Sequence, residues 1–167
     1  MSKNLEIERK FLVKMPDLRK LDVVRRLNIT QTYLKRGDNN SQRRVRRIDE
    51  NGSITYTYTE KQFISPLIRN EDEFEISEQE YSRLLMQKDK HYAPVEKIRY
   101  CFDYHSQLFE LDTYPFSGDL AIMELELELP EQTIDFPDNV NVIKDVSSDK
   151  SYSNAALANA GIFPEAL

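Results

Sequence analysis

The sequence predicts an α+β, mainly β fold: a closed eight-stranded antiparallel β-barrel with helices packed outside it and a helix at the C-terminus. Three observations carry that prediction. Apolar and polar residues alternate with a period of two along most of the 167-residue chain, the strand signature, because successive side chains leave opposite faces. One parity of nearly every such segment is charged. The segments are mostly separated by short turn signals such as Asp49-Glu50-Asn51-Gly52.

In the first strand Leu5, Ile7, Phe11 and Val13 interleave with Glu6, Glu8 and Lys10. In the last, Met123, Leu125, Leu127 and Leu129 interleave with Glu124, Glu126 and Glu128. Between them strands are predicted at 30–36, 42–49, 53–62, 69–76, 95–104 and 107–114. Helices are predicted in three places. Residues 16–27 carry Leu18, Leu21, Val24 and Leu27 at helical spacing behind Pro16. Ser77-Glu78-Gln79-Glu80 forms a capping box ahead of Tyr81, Leu84 and Leu85. Residues 151–160 are alanine-rich and stop at Gly161. No internal repeat or linker divides the chain, so residues 1–167 read as one domain.

Composition narrows the function. A net charge of −6 and a pI near 5.1 argue against an extended nucleic-acid surface. No apolar run reaches the roughly 20 residues that cross a bilayer, so no membrane partner is expected. Cys101 is the single cysteine and cannot form an intrachain disulfide, and the first residues lack a secretory apolar core, so the expected compartment is the cytoplasm. His91 and His105 lie outside every motif, Cys101 reads as packing, and Lys88 and Lys90 read as a solvated charge run.

Any one charged strand face would ordinarily be a solvated sheet face. The whole set points elsewhere: Glu6, Glu8, Lys10, Arg44, Arg46, Lys61, Glu73, Glu75, Lys97, Arg99, Glu110, Asp112, Glu124 and Glu126 alternate along strand after strand. An open eight-stranded sheet would have to bury its apolar face under three modest helices and protect two edges. Closing the sheet removes the edges and turns the charged faces into a lumen. Such a lumen is costly unless a ligand, ions or water satisfy it. Arg and Lys suit phosphate oxygens, whereas clustered Glu and Asp supply hard ligands for Mg²⁺ or Mn²⁺. Together they suit a polyphosphate with divalent metal. In QRRVRR at 42–47, either Arg44 and Arg46 or Arg43 and Arg47 face inward, depending on a one-residue register.

Glu6-Ile7-Glu8-Arg9-Lys10 fits an ExExK motif. It is followed in order by Gln31-Thr32-Tyr33-Leu34, Arg44-Val45-Arg46, Lys61, Glu73-Phe74-Glu75, Lys97-Ile98-Arg99, Glu110-Leu111-Asp112 and Glu124-Leu125-Glu126. Asp145-Val146-Ser147, Tyr152-Ser153-Asn154 and Leu157-Ala158 close the series. In this order the motifs resemble the CYTH group of triphosphate tunnel metalloenzymes. The chain departs at Ser147, where the group usually has threonine.

The resemblance implies a tunnel in which Lys10, Arg44, Arg46, Lys61, Lys97 and Arg99 grip a triphosphate-containing small molecule. It also implies that Glu6, Glu8, Asp112, Glu124 and Glu126 hold Mg²⁺ or Mn²⁺. Tyr33, by itself an ordinary strand aromatic, gains a role from its motif. It is expected to act with Lys97 on the attacking water, the sign of the Lys97 pKa shift being open. The leading activity is metal-dependent hydrolysis of inorganic tripolyphosphate to phosphate and pyrophosphate. The alternatives are a class IV adenylyl cyclase, a thiamine triphosphatase, or a non-catalytic polyphosphate-binding module. RNA triphosphatases also belong to the group.

Overall fold

The computed structural model describes residues 5–164. Nine strands are present: β1 (Leu5–Lys14), β2 (Asp22–Leu34), β3 (Gln42–Glu50), β4 (Ser53–Phe63), β5 (Ile68–Ile76), β6 (Val95–Tyr104), β7 (Gln107–Thr113), β8 (Leu120–Leu127) and β9 (Val142–Asp145). Two helices join them, α1 (Glu78–Leu84) and α2 (Asn154–Ala160). The strands run in the order β5-β4-β3-β2-β6-β7-β8-β1-β9, and β1 also pairs with β5. Eight strands therefore close a barrel, with every ladder antiparallel.

The closure depends on β1. One of its edges pairs with β8 from Ile7 to Lys14. Its other edge is divided: Leu5, Glu6 and Ile7 face β5, and Phe11, Leu12 and Val13 face β9. Beyond Asn70, β5 has no strand ladder on this side among the described residues.

Odd-numbered residues of β1 point outward. Ile7, Phe11 and Val13 pack with Phe102, Phe109, Leu111, Met123 and Leu125. The covering layer comes largely from irregular chain: Ile134, Phe136 and Val140 lie over it, with Phe136 edge-on to Phe11 at 5.0 Å. α1 also packs outside, placing Tyr81 and Leu84 on Leu34, Val45 and Ile76. Its capping box is formed, Ser77 Oγ accepting from Glu80 N at 3.1 Å.

α2 takes a different position. Ser153 caps it and Gly161 ends it at φ 67°, as its sequence predicts. Ala155, Leu157 and the following Phe163 pack on Leu12, Tyr33, Val95 and Ile122. These have the parity of the charged residues, so α2 fills part of the barrel's inner face.

The predicted helix at 16–27 is absent. Residues Leu18–Lys20 form one 3-10 turn, with Asp17 accepting from Arg19 N at 3.1 Å, and β2 then starts at Asp22. Long pairing of Asp22–Gln31 with β6 overrides the local apolar spacing. Leu18, Leu21 and Val23 still bury against the outer core. No helix among the described residues is long and apolar enough to cross a membrane.

Candidate functional site

The inner parity of the barrel walls a cavity of about 910 Å³. On the acidic side, β1 supplies Glu6, Glu8 and Lys10, β8 supplies Glu124 and Glu126, and β7 supplies Glu110. Facing them, β3 supplies Arg44 and Arg46, β4 supplies Lys61, and β6 supplies Arg99. This settles the register of the basic run. Arg44 and Arg46 are buried in the cavity wall, while Arg43 points outward onto the Tyr58 hydroxyl at 2.8 Å.

Strand register sets like charges against one another. Glu8 lies directly across from Glu126, and Glu110 from Glu124, arrangements that destabilise an empty sheet face. Burial pushes the Glu126 and Glu110 carboxyls up, neighbouring carboxylates adding to it while Arg69 and Arg99 respectively oppose. Burial also pushes Glu6 up, helped by its hydrogen bond with Glu71. Glu71 is held low despite burial by that bond and by Lys61 and Arg44. The two carboxyls are thus pushed in opposite directions, Glu6 toward its neutral form and Glu71 toward its charged form.

The cations are unequally partnered. Lys61 Nζ lies 3.1 Å from Glu71, and Lys10 Nζ lies 3.6 Å from Glu124. Arg44 reaches Glu71 and Glu73 only at 3.8 and 3.9 Å, and its Nε has no hydrogen-bond partner. Arg46 makes no ion pair among the described residues; its Nε donates to Gln31 Oε1 at 2.6 Å. Gln31 Nε2 in turn donates to the Tyr33 hydroxyl at 2.8 Å. The chain of bonds leaves the Tyr33 proton available at the cavity. Burial, with Arg44 and Arg99 nearby, brings the Arg46 pKa down to about 10, so it stays charged at neutral pH.

Lys97 and Asp112 lie behind the wall. Asp112 is fully buried and takes both a 2.8 Å and a 2.9 Å bond from Arg99, together with Lys97 Nζ at 2.8 Å. Lys97 also approaches Asn154 Oδ1 at 3.4 Å, and Tyr114 donates to the same oxygen at 2.6 Å. Burial outweighs Asp112 and, with Arg99 and Arg46, brings Lys97 down to about 7. Neither Lys97 nor Asp112 lines the cavity, and Tyr33 belongs to a separate network.

The C-terminal signature acts through the backbone. Val146 N donates to Lys10 O at 2.9 Å, and Ser147 Oγ accepts from Lys10 N at 2.8 Å. These bonds fix β1 next to Glu8 and the cavity. Arg69, Glu71 and Gln31 escaped the sequence-based assignment, although each has the inward parity of its strand. Among the described residues, no three acidic, histidine or cysteine side chains are arranged as a ready metal cluster. Arg69 lies 2.6 Å from Glu8 and 3.4 Å from Glu6, and Lys10 and Arg99 approach Glu124.

A closed barrel whose interior is lined by cations and carboxylates defines a tunnel-type fold. The CYTH domain model matches residues 4–150, and the chain belongs to the CYTH family. The crystal structure of the inorganic triphosphatase NE1496 is similar at 29% identity, with a TM-score of 0.55, covering 92% of this chain and 93% of that one. Another structure of the NE1496 protein is 30% identical with a TM-score of 0.56, covering 92% and 97%. PH1819 from Pyrococcus horikoshii OT3 shares the fold at 19% identity and a TM-score of 0.57, covering 74% and 79%. No curated protein matches the sequence.

Proposed function

We propose that this protein is a metal-dependent triphosphatase that hydrolyses inorganic tripolyphosphate to phosphate and pyrophosphate. The observation that carries this reading is Arg46, a buried guanidinium facing the cavity with no carboxylate partner among the described residues. A buried charge of this kind calls for an anion. Arg44, with long ion pairs and an unbonded Nε, offers a second site for one. Family membership and the likeness to the inorganic triphosphatase NE1496 favour a phosphoanhydride as that anion.

The carboxylates fit a divalent cation by their chemistry. Glu8 opposed to Glu126, with Glu6 lining the same stretch of the cavity and disfavoured by burial in its charged form, is an arrangement that a cation relieves. Glu6, Glu8 and Glu126 would hold it, with Glu124 beside them. When bound, Mg²⁺ or Mn²⁺ polarises phosphoryl oxygens and lowers the pKa of water. The chain's own residues do the rest. Arg44, Arg46, Lys61 and Arg99 neutralise the phosphate chain from one wall, and Lys10 from the other. The Tyr33 hydroxyl, oriented by Gln31, donates a hydrogen bond to a phosphate oxygen. Asp112 and Lys97 hold the Arg99 guanidinium in place, so here they serve as positioning residues.

Phosphate release measured across tripolyphosphate, ATP, thiamine triphosphate and pyrophosphate, with Mg²⁺ and with Mn²⁺, tests the reading. Turnover of tripolyphosphate should be highest and should vanish with chelator. Cyclic nucleotide from ATP, in place of phosphate release, would make the protein a cyclase. Tight triphosphate binding without turnover of any substrate would make it a binding module.

A further inference from the structure

Arg69 is a cation on β5 whose partners are the carboxylates assigned above to the metal. Its Nη2 donates to Glu8 Oε1 at 2.6 Å and its Nε lies 3.4 Å from Glu6 Oε1, with the side chain only 12% exposed. The β1–β5 ladder builds this contact in: Glu6 lies directly across from Arg69 where the barrel closes. This short, charge-assisted bond between largely buried groups occupies one oxygen of Glu8 and draws on its charge, so another cation binds there in competition with it. In the same position the guanidinium carbon lies 5.7 Å from the ring centroid of its cross-strand neighbour Phe63, which is 52% exposed and lines the cavity, so the cation sits at the cavity surface where an anion can reach it.

We propose that Arg69 is a positioning residue that occupies Glu6 and Glu8 in the empty tunnel and competes with divalent cation for them. An entering triphosphate draws the guanidinium off the carboxylates and onto its own oxygens, so metal and substrate favour each other's binding. The inference rests on the assignment of Glu6 and Glu8 as metal ligands. It makes Arg69 different from the other cavity cations: its removal frees two ligands, whereas removal of Arg46 changes only the field.

The test is Mn²⁺ binding to the full-length, substrate-free protein, followed by the EPR signal of free Mn²⁺. Far-UV circular dichroism verifies that each variant is folded. Arg69→Gln should bind Mn²⁺ about tenfold to a hundredfold more tightly than the wild type, from the strength of the bond with which metal no longer has to compete. Arg46→Gln, which removes an equal charge without touching Glu6 or Glu8, should show a much smaller gain. Arg69→Lys, which keeps the charge but loses the planar fork, should fall between Arg69→Gln and the wild type. In chelator, Arg69→Gln should bind imidotriphosphate more weakly than the wild type.

Equal gains in Arg69→Gln and Arg46→Gln would overturn the proposal while leaving the metal site intact, and so would unchanged or weaker Mn²⁺ binding in Arg69→Gln. If Glu8→Gln binds Mn²⁺ as well as the wild type does, or if no protein binds Mn²⁺, the metal assignment fails and the proposal with it.

Discussion

Replacing Arg46 by methionine removes a cavity guanidinium that makes no ion pair among the described residues, and keeps an unbranched side chain in its place. The fall of its pKa from the ordinary guanidinium value to about 10 corresponds to about 3 kcal/mol of disfavour for the charged form. Against that gain, Gln31 is fully buried and its Oε1 would lose the donor now 2.6 Å away, which costs about 1–3 kcal/mol. The ligand-free variant should therefore be as stable as the wild type or more stable by up to about 2 kcal/mol. A structurally paired buried arginine would instead lose about 3–5 kcal/mol. Loss of charge-assisted bonds to phosphate should weaken triphosphate binding by about tenfold to a hundredfold. Urea unfolding without ligand measures the first effect, and the thermal shift given by imidotriphosphate measures the second. A ligand-free loss above about 3 kcal/mol, or an undiminished thermal shift, would refute the account of Arg46 as an anion site held at the expense of the fold.

Glu126 makes no ion pair among the described residues and opposes Glu8 across the ladder, so Glu126→Gln should abolish phosphate release yet leave the melting temperature unchanged or raised. Asp112 is held below its ordinary 3.8 by Arg99 and Lys97, which together outweigh burial. Its contribution to stability is thus complete above that value and lost as pH falls through the lower folded-state pKa. Asp112→Asn should flatten the acid limb of the stability–pH curve and, by leaving Arg99 and Lys97 uncompensated, cost about 3–5 kcal/mol at pH 7 in urea unfolding. Leu157 is fully buried where α2 meets the inner face. Leu157→Ala should cost about 2–5 kcal/mol in the same assay and leave a cavity next to Tyr33.

Parity made the walls legible in the sequence. Once the alternating segments are taken as strands of a closed sheet, Glu6, Glu8, Lys10, Arg44, Arg46, Lys61, Arg99, Glu124 and Glu126 must share one side, and all of them line the cavity. Parity does not give depth along the barrel. Lys97 and Asp112 face inward too, but their ladder neighbours are Ile29 and Ile122, at a level where side chains and α2 fill the space. The part taken by Arg69 depends on a pairing between the first and fifth strands, which no local pattern encodes. Residues 16–27 misled because four apolar residues at helical spacing also serve a turn followed by a strand, and β6 decides between the two. β9 is only four residues long, too short for alternation to stand out.

The fork in β1's partnership bears on how the molecule behaves in a crowded solution. Among the described residues, no strand ladder covers one flank of β5 from Glu71 onward, and an uncovered flank is the kind on which a second chain could add as a strand and start aggregation. Glu71, Asp72, Glu73 and Glu75 crowd that stretch. A like copy approaching edge to edge would bring its own acidic run against this one, and repulsion would grow with every residue paired. The acidic flank thus works as a gatekeeper against self-templating, and the amides along it should be among the first in the barrel to exchange with solvent deuterium.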